Sequence, residues 1–241
     1  MVTRLQGAII AAGRGERLRK STREDIPKPL VMVGGQPMIS RQARALLDAG
    51  ASSVVAIINS ETARVGEELL LDLPPSTRLV VRDTANSMET MLALGEVLEP
   101  GWFIASTVDA VIPQIELARF VNESQKKIEE RREEKLAGVL AVSRWRGEPK
   151  PLFADVTSDG LILQLGNRQT SNVTAGLYLL STGIFAHAAE ARRAGLDALR
   201  RFLALLIERG MRLDAIEIEG AIDVDEGADL DAARRAVRKT P

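Results

Sequence analysis

The feature that most constrains the fold is an alternation of short β-branched runs with amphipathic helical patterns over the first 145 residues. Between the first two runs, Ile39, Ala43 and Leu46 recur at helical spacing, and Gly50 closes the segment as a helix C-cap glycine would. Strands are predicted at Gly7–Ala11, Ser53–Ile58, Arg78–Arg82, Trp102–Ser106 and Gly138–Ser143, and further helices at Ala63–Leu71, Ser87–Leu98 and Gln114–Lys135. The alternation predicts a three-layer α/β/α fold around a mostly parallel sheet.

The pattern becomes richer in strands after Gly147. The turn residues Ser158-Asp159-Gly160 predict a hairpin that joins Leu152–Thr157 to Leu161–Leu165. Later strands are predicted at Val173–Leu180 and Leu213–Ile218, and later helices at Gly183–Ala194, Leu196–Glu208 and Gly227–Val237. Because the sequence contains no internal repeat and no linker rich in Pro, Gly or Ser, we expect one domain over residues 1–241.

Composition narrows the available chemistry. The chain has no cysteine and a single histidine, His187, so carboxylate, amine, guanidinium and backbone groups must carry any catalysis. A formal net charge of −1 and 3% aromatic residues argue against a nucleic-acid partner. No apolar run approaches the length of a membrane span, so we expect a cytoplasmic protein with a small-molecule partner and no membrane contact. The mixed-sign run from Lys126 to Lys135 is predicted to be a solvated helix face.

A loop of small residues follows the first predicted strand, with the sequence AAGRGERL at residues 11–18. Glycines let the backbone approach a ligand closely, and successive N–H groups can bind an anion such as phosphate. The loop does not match Walker A, which requires Gly-Lys-Ser/Thr, or the dinucleotide fingerprint, which requires a third glycine. A glycine turn without a ligand is the structural alternative.

A second cationic element follows at Lys28, between Pro27 and Pro29. Proline restricts its own backbone and drives the preceding residue toward an extended conformation. We therefore expect Lys28 to lie on a rigid, extended arm beside the glycine loop, where its charge can meet a phosphate group.

Taken together, these segments resemble the nucleotidylyltransferase superfamily, which comprises NTP transferases of MobA-like and sugar-phosphate type. Its signature is an apolar strand, A-A-G-x-G-x-R-L, a variable loop and P-K-P-L, and the continuation G-x-P-M/L-I is found here at residues 35–39. The resemblance implies a Rossmann-like, glycosyltransferase-A-type fold with a mixed sheet, in which residues 1–145 bind nucleotide and residues 146–241 bind the acceptor. It implies that Arg17 and Lys28 act on the phosphates, and that the nucleotide contacts Ala11, Ala12, Gly13, Arg14 and Gly15.

The segment expected to recognise the nucleobase departs from part of the family. The glutamine and the Gly-Thr-Ala motif of uridylyl enzymes are absent, and Thr84-Ala85-Asn86-Ser87 stands in their place. An Asn-Ser pair before a helix is similar to the branch that activates choline phosphate or inositol phosphate with CTP. This similarity implies nucleotide contacts from Asn86 and Ser87, and a preference for CTP over UTP and GTP.

Three aspartates are candidate metal ligands. Asp109 follows a predicted strand, where open α/β folds place their ligands, and it is similar in position to the family's metal-binding aspartate. Asp223 and Asp225 alternate on a segment expected to be extended, so their side chains point the same way. Such oxygen ligands suit Mg²⁺, the expected cofactor, while Asp229 is expected to support the first turn of the last helix. An acidic helix cap without a metal is the alternative.

The acceptor site is expected in the second half of the chain. Val173–Tyr178 resembles the family strand that contacts the acceptor, which implies roles for Thr174 and Gly176, although packing within a strand explains the glycine nearly as well. Lys150, Asn167 and Arg168 are candidates for holding the acceptor phosphate.

The implied reaction is Mg²⁺-dependent transfer of NMP from an NTP to a phosphorylated sugar, polyol or choline-like alcohol, with release of pyrophosphate. Two other functions stay open at this point. A glycosyltransferase that uses an NDP-sugar is the first, because Asp223-Val224-Asp225 spells a D-x-D metal motif. A non-catalytic nucleotide-binding regulatory domain is the second. The sequence leaves the oligomeric state open.

Overall fold

The computed structural model describes residues 4–22, 25–131, 135–147 and 151–238. Its strands are β1 (Gln6–Ala11), β2 (Met32–Val33), β3 (Gln36–Pro37), β4 (Ser53–Ile58), β5 (Thr77–Val81), β6 (Trp102–Thr107), β7 (Ala110–Val111), β8 (Leu136–Arg144), β9 (Phe153–Val156), β10 (Ile162–Gly166), β11 (Asn172–Ser181), β12 (Arg212–Glu217) and β13 (Ile222–Asp223). Its α-helices are α1 (Glu16–Thr22), α2 (Met38–Asp48), α3 (Ser60–Val65), α4 (Glu67–Leu70), α5 (Ser87–Leu94), α6 (Gln114–Glu130), α7 (Ala188–Arg193), α8 (Leu199–Glu208) and α9 (Gly227–Arg238).

Within these described ranges, nine strands form the central sheet. Seven of them lie side by side in the order β5-β4-β1-β6-β11-β8-β12. All are parallel except β11, which runs antiparallel to β6 and to β8. The β9–β10 hairpin joins the start of β11, where Asn172 pairs with Ala154. The predicted mixed and mostly parallel sheet is therefore confirmed, and β11 links strands from both parts of the chain.

Two hydrophobic clusters cover the two faces of the sheet. On β1, Ile9 and Ala11 belong to one cluster, whereas Ala8 and Ile10 belong to the other, as the alternation of side chains along a strand requires. The first cluster packs against α2, α6 and α9, and the second against α5 and α8. This arrangement confirms the three layers.

Several elements differ from the sequence prediction. The helix predicted at Ala63–Leu71 is two short helices, because Gly66 ends α3 and packs so tightly on Leu30 that an added Cβ would lie 2.7 Å from its side chain. The helix predicted at Gln114–Lys135 ends earlier, at Glu130. Helix α1 and the short strands β2, β3, β7 and β13 were not predicted, because such brief elements contain too few residues to show a period.

The charged run from Lys126 to Lys135 is not a wholly solvated face. Asp214 on β12 is fully buried, and its carboxylate lies 3.5 Å from Lys127 Nζ and 2.9 Å from Arg131 Nε. Arg212 Nε is 2.8 Å from the same carboxylate. A buried charge is tolerated only when it is paired, so this run supplies cations that the core requires. Alternation of charge in a sequence cannot reveal such a buried partner.

Among the described helices, none combines the length and the apolar character that a membrane crossing requires. A cytoplasmic location stays a prediction.

Candidate active site

The glycine loop leaves β1 at the carboxyl edge of the sheet. Asn59, which follows β4, donates a hydrogen bond from Nδ2 to the Ala12 carbonyl at 3.1 Å and accepts one from the Thr62 N–H at 2.7 Å. This buried amide ties the loop to the start of α3. A Cβ added to Gly13 would meet nothing within 4 Å, so the loop backbone there is open to a ligand.

Gly15 brings the loop against Lys28. Its φ of +64° is the left-handed conformation that favours glycine, and an added Cβ would lie 2.6 Å from Lys28 Cβ. Lys28 begins a 3-10 turn, in which the Leu30 N–H donates to the Pro27 carbonyl at 2.9 Å and the Val31 N–H to the Lys28 carbonyl at 3.2 Å. The prediction of an extended arm is therefore wrong, because these hydrogen bonds close a turn, which holds Lys28 in place.

The Lys28 ammonium group lies between two carboxylates. Its Nζ is 2.6 Å from Asp109 Oδ2 and 3.0 Å from Asp225 Oδ1, and Arg17 Nη2 is 2.7 Å from the other oxygen of Asp225. The Lys28 side chain is 8% exposed. Burial alone would lower the pKa of Lys28, but the charges of Asp109 and Asp225 outweigh it and raise the pKa. Burial likewise opposes ionisation of Asp109, and Lys28 outweighs it and lowers the pKa of that carboxyl. Both groups are charged at neutral pH.

Two very short strands bring the carboxylates together. Asp109 lies between β6 and β7, and β7 pairs with β13 so that Ala110 faces Asp223. The Val224 N–H then donates to the Asp109 carbonyl at 3.1 Å. The C-terminal segment is thereby joined directly to the end of β6, and Asp225 reaches Lys28.

Asp109, Asp223 and Asp225 form a compact cluster, in which one carboxylate oxygen from each lies within 4.8 Å of the others. The Asp223 residue is exposed as a whole, yet partial desolvation of its carboxyl group by the surrounding protein and the charges of Asp109 and Asp225 raise its pKa to about 7. Three such groups at this spacing suit a hard divalent cation, which would relieve their mutual repulsion. The donor set therefore fits Mg²⁺.

The glycine loop, Lys28, Asp109 and Asp225 line one cavity of about 470 Å³. Its uncharged part, here called the neutral end, is lined by Thr84, Ala85, Asn86, Ser87 and Thr90 together with Ile10 and Ala12. There the hydroxyl groups of Thr84 and Thr90 lie 2.6 Å apart, and the Thr90 hydroxyl is also 3.1 Å from the Asn86 carbonyl oxygen. The cavity thus combines a charged end, which contains Lys28, Asp109 and Asp225, with the neutral end.

Comparison with known proteins identifies the family. The sequence model of the MobA-like NTP transferase domain matches residues 7–175. The chain belongs to the MobA-like NTP transferase family. The matched range contains the glycine loop, Lys28 and Asp109, while Asp223 and Asp225 lie beyond it.

Curated relatives of this NTP transferase domain match it to different extents. It is 44% identical over 55 residues to mannose-1-phosphate guanyltransferase of Saccharomyces cerevisiae, which is 23% of this chain and only 15% of that protein's length. It is 24% identical over 250 residues to UTP–glucose-1-phosphate uridylyltransferase AglF of Haloferax volcanii, which covers 98% of this chain and 97% of that protein.

Solved structures similar to this NTP transferase domain show the same fold along its whole length. The inositol-1-phosphate CTP transferase of T. maritima superposes with a TM-score of 0.79 at 19% identity, covering 99% of this chain and 98% of that one. The CTP:phosphocholine cytidylyltransferase of Streptococcus pneumoniae superposes with a TM-score of 0.76 at 18% identity, covering 98% of this chain and all of that one. These similarities confirm the predicted nucleotidylyltransferase fold.

Most residues that the sequence analysis assigned to the nucleotide line the cavity. They are Ala12, Gly13, Arg14, Gly15, Arg17, Lys28, Asn86 and Ser87, and the predicted metal ligands Asp109 and Asp225 line it as well. Ala11 is buried in the cluster on the other face of the sheet, so its side chain serves packing. Asp229 has its expected structural role, because Oδ2 accepts the N–H groups of Asp225 and Glu226 at 3.1 and 2.8 Å. The binding and catalytic roles of all the others stay predictions.

Asn86 and Ser87 have structural partners as well. Asn86 Oδ1 accepts the Glu89 N–H at 3.0 Å and caps α5. Ser87 Oγ accepts the Leu199 N–H at 3.0 Å, at the start of α8. The side-chain oxygen of each residue therefore accepts a hydrogen bond from within the protein.

The predicted acceptor residues lie on β11 or outside the described residues. Gly176 has a φ of +70° at a register shift in β11, and an added Cβ would lie 2.6 Å from Thr107 Oγ1. The packing explanation of this glycine is thus sufficient. Thr174 hydrogen-bonds the buried Tyr178, whose pKa is raised by burial and by the charges of Asp223 and Asp109. Lys150 falls in a segment outside the described residues.

Sequence reasoning gave no role to three contributors to the site. Asn59 anchors the loop, and Thr84 and Thr90 form the hydroxyl pair at the neutral end. Asn59 stands before a helix and could have been assigned as an N-cap, but its second contact, to Ala12, is purely tertiary. No spacing rule relates a threonine in a loop to a threonine in the next helix.

Proposed function

We propose that this protein is a nucleotidyltransferase that transfers NMP from an NTP to a phosphorylated small molecule and releases pyrophosphate. The carrying observation is the position of Lys28, held between Asp109 and Asp225 and against Gly15 in the same cavity. A buried cation and a carboxylate cluster beside an open glycine loop suit a triphosphate with its metal.

The proposed chemistry needs no general base. A phosphate monoester has a second pKa of about 6 and is already anionic at neutral pH, so its oxygen can attack the α-phosphorus directly. As that bond forms, the bond from the α-phosphorus to the oxygen bridging to the β-phosphate breaks, and negative charge grows on the departing pyrophosphate. Arg17 and Lys28 are positioned to neutralise that charge, which agrees with a cavity that contains no histidine among its lining residues.

Asp109, Asp223 and Asp225 would hold the Mg²⁺ ion. When bound, the ion would polarise the phosphate oxygens and neutralise their charge. Lys28 and Arg17 now satisfy two of these carboxylates. We therefore infer that triphosphate binding draws the two cations from the aspartates toward the phosphates.

The nucleobase would occupy the neutral end, because the triphosphate requires the cations at the other end. We expect CTP to be the preferred nucleotide. The Asn86-Ser87 segment supports this expectation, as do two structural neighbours, an inositol-1-phosphate CTP transferase and a CTP:phosphocholine cytidylyltransferase. The acceptor would be a phosphorylated sugar, polyol or choline-like alcohol.

The test is a grid of four NTPs against phosphorylated sugars, inositol phosphate and choline phosphate, scored by pyrophosphate release with Mg²⁺. We expect one NTP with one acceptor class to stand out, and EDTA to abolish the signal. Pyrophosphate release without an acceptor would indicate a hydrolase. Glycosyl transfer from an NDP-sugar would favour the D-x-D glycosyltransferase, and tight NTP binding without turnover would favour a regulatory domain.

A further inference from the structure

The neutral end of the cavity contains a hydroxyl relay with a defined direction. Thr84 is half-buried, Thr90 is buried, and both line the cavity. Their Oγ1 atoms are 2.6 Å apart, and Thr90 Oγ1 is 3.1 Å from the Asn86 carbonyl oxygen. We call this chain, Thr84 to Thr90 to the Asn86 carbonyl, the hydroxyl relay.

Proton counting sets the direction of the relay. Each hydroxyl group has a single proton to donate, and a carbonyl oxygen can only accept. Both hydrogen bonds form together only if Thr90 donates to the Asn86 carbonyl and Thr84 donates to Thr90. Thr84 then has no proton left for the cavity, and its oxygen can only accept a hydrogen bond from a ligand.

We infer that Thr84, oriented by Thr90, selects nucleobases that present an exocyclic amino group over those that present a carbonyl at the same position. This inference rests on the proposed function, because it places the base at the neutral end. An amino group donates a hydrogen bond to the Thr84 oxygen. A base carbonyl at the same position would face the Thr84 oxygen, and no hydrogen bond could form because both oxygens are acceptors. The relay therefore favours CTP over UTP, and equally ATP over ITP.

The neighbouring polar side chains do not supply the same discrimination. Asn86 Oδ1 accepts the Glu89 N–H and Ser87 Oγ accepts the Leu199 N–H, so the protons of Asn86 Nδ2 and Ser87 Oγ are what these side chains offer a ligand, and such donors do not pair with an amino group. Among the described side chains at this end, Thr84 is the hydroxyl whose direction is imposed by a second buried hydroxyl. Thr90 acts through Thr84, so it is a positioning residue.

The experiment compares two matched nucleotide pairs, CTP with UTP and ATP with ITP, by calorimetric titration with Mg²⁺ and without acceptor. In each pair the exocyclic amino group of the first base is a carbonyl in the second. The wild-type protein should bind the amino-bearing member at least about tenfold more tightly in both pairs, since an unpaired polar group in a site costs about 1–3 kcal/mol.

Three valine variants test the relay itself. Thr84→Val removes the acceptor, so the preference within both pairs should fall to less than about twofold. Thr90→Val frees the Thr84 proton to turn toward the cavity, so affinity for UTP and ITP should rise at least about threefold. The Asn86 carbonyl keeps its bond from the Thr90 N–H at 3.1 Å, so α5 is expected to stay folded. Thr77→Val, which removes a β5 hydroxyl that has no hydrogen-bond partner among the described residues, is the matched control and should leave all four affinities unchanged.

Equal binding within both pairs, or an unchanged preference in Thr90→Val, would overturn the relay. If either result is found while pyrophosphate is still released from a nucleotide and a phosphorylated acceptor, the proposed nucleotidyltransferase activity is retained and only the relay is rejected. Failure of all four nucleotides to bind would overturn the proposed function and this inference with it. Thermal melting of each variant shows whether a change in affinity reflects loss of the fold.

Discussion

The two ends of the cavity are built in different ways. The charged end joins three distant parts of the chain, because Lys28 contacts Asp109 after β6 and Asp225 before α9. The hydroxyl groups of the neutral end are local, because Thr84, Asn86 and Thr90 lie on one loop and the helix that follows it. The charged end depends on correct packing of the whole sheet, while the hydrogen bonds between these hydroxyl groups depend on one loop and helix α5.

This contrast predicts that the charged end governs the rate of the reaction and the neutral end the choice of nucleotide. Charges that meet the phosphates are the same for every nucleotide, so changes at the charged end should affect turnover with all substrates. Uncharged groups at the neutral end meet the base, so changes there should affect the choice of nucleotide more than the rate.

The largest effect is expected from Asp109→Asn. The variant removes a carboxylate that contacts Lys28 and belongs to the metal cluster, so turnover should fall at least about a hundredfold with every nucleotide. Stability should change little, because Asp225 still neutralises Lys28 and Asp223 loses a repulsive neighbour. Steady-state pyrophosphate assays with a thermal melt check both points. Wild-type turnover would remove Asp109 from the catalytic machinery.

Lys28→Met is expected to lower turnover and to raise the affinity for a divalent metal ion. Turnover should fall at least about tenfold, because the charge that meets the departing pyrophosphate is lost. Mn²⁺ should bind more tightly without nucleotide, because the ammonium no longer occupies Asp109 and Asp225. Mn²⁺ titration followed by EPR measures this gain, and Arg17→Met, which frees only Asp225, should give a smaller one. Weaker Mn²⁺ binding in Lys28→Met would contradict competition between the lysine and the metal.

Gly15→Ala tests the contact between the loop and Lys28. An alanine there is strained at a φ of +64°, and its Cβ would lie 2.6 Å from Lys28 Cβ. The free energy of unfolding should fall by about 2 kcal/mol, measured by urea denaturation. Gly13→Ala is the matched control, since its Cβ has open space and should affect nucleotide binding more than stability. Equal loss of stability in the two variants would show that the Lys28 contact is not responsible.

Asn86→Ala should have a smaller effect on stability, at the neutral end. Loss of the hydrogen bond from the Glu89 N–H to Oδ1 should lower the free energy of unfolding by about 1 kcal/mol. Turnover at saturating nucleotide should change less than in any charged-end variant, because Asn86 carries no charge. A hundredfold loss of turnover would place Asn86 in the chemistry and remove the contrast between the two ends.

The smallest effect concerns pH and Asp223. Its pKa is raised from 3.8 to about 7 in the folded protein, so its protonated form favours folding. That contribution is fully present below about pH 4 and is lost as the pH rises toward 7. The melting temperature of metal-free Asp223→Asn should therefore fall less between pH 4 and 7 than that of the wild type. Asp231→Asn, which alters an exposed carboxylate on α9, should behave like the wild type.

The sequence alone predicted the longer strands and helices and the part of the site that is contiguous in the chain. Strand and helix periods over β1, α2, β4 and β6 identified the α/β class, since each period reports which face of one element is buried. The glycine loop and the Pro-Lys-Pro segment carried the resemblance to the family, because both parts of that signature are short and contiguous in the chain.

Tertiary structure decided which distant groups meet. Pairing of β7 with β13 brings Asp223 and Asp225 to Asp109, and the buried Asp214 turns an apparently solvated charge run into part of the core. The hydroxyl relay likewise depends on the angle at which α5 leaves its loop. The physical reason is that the sequence pattern encodes conformation and burial along one element, whereas distances between side chains on different elements are set by sheet order and by packing of both faces.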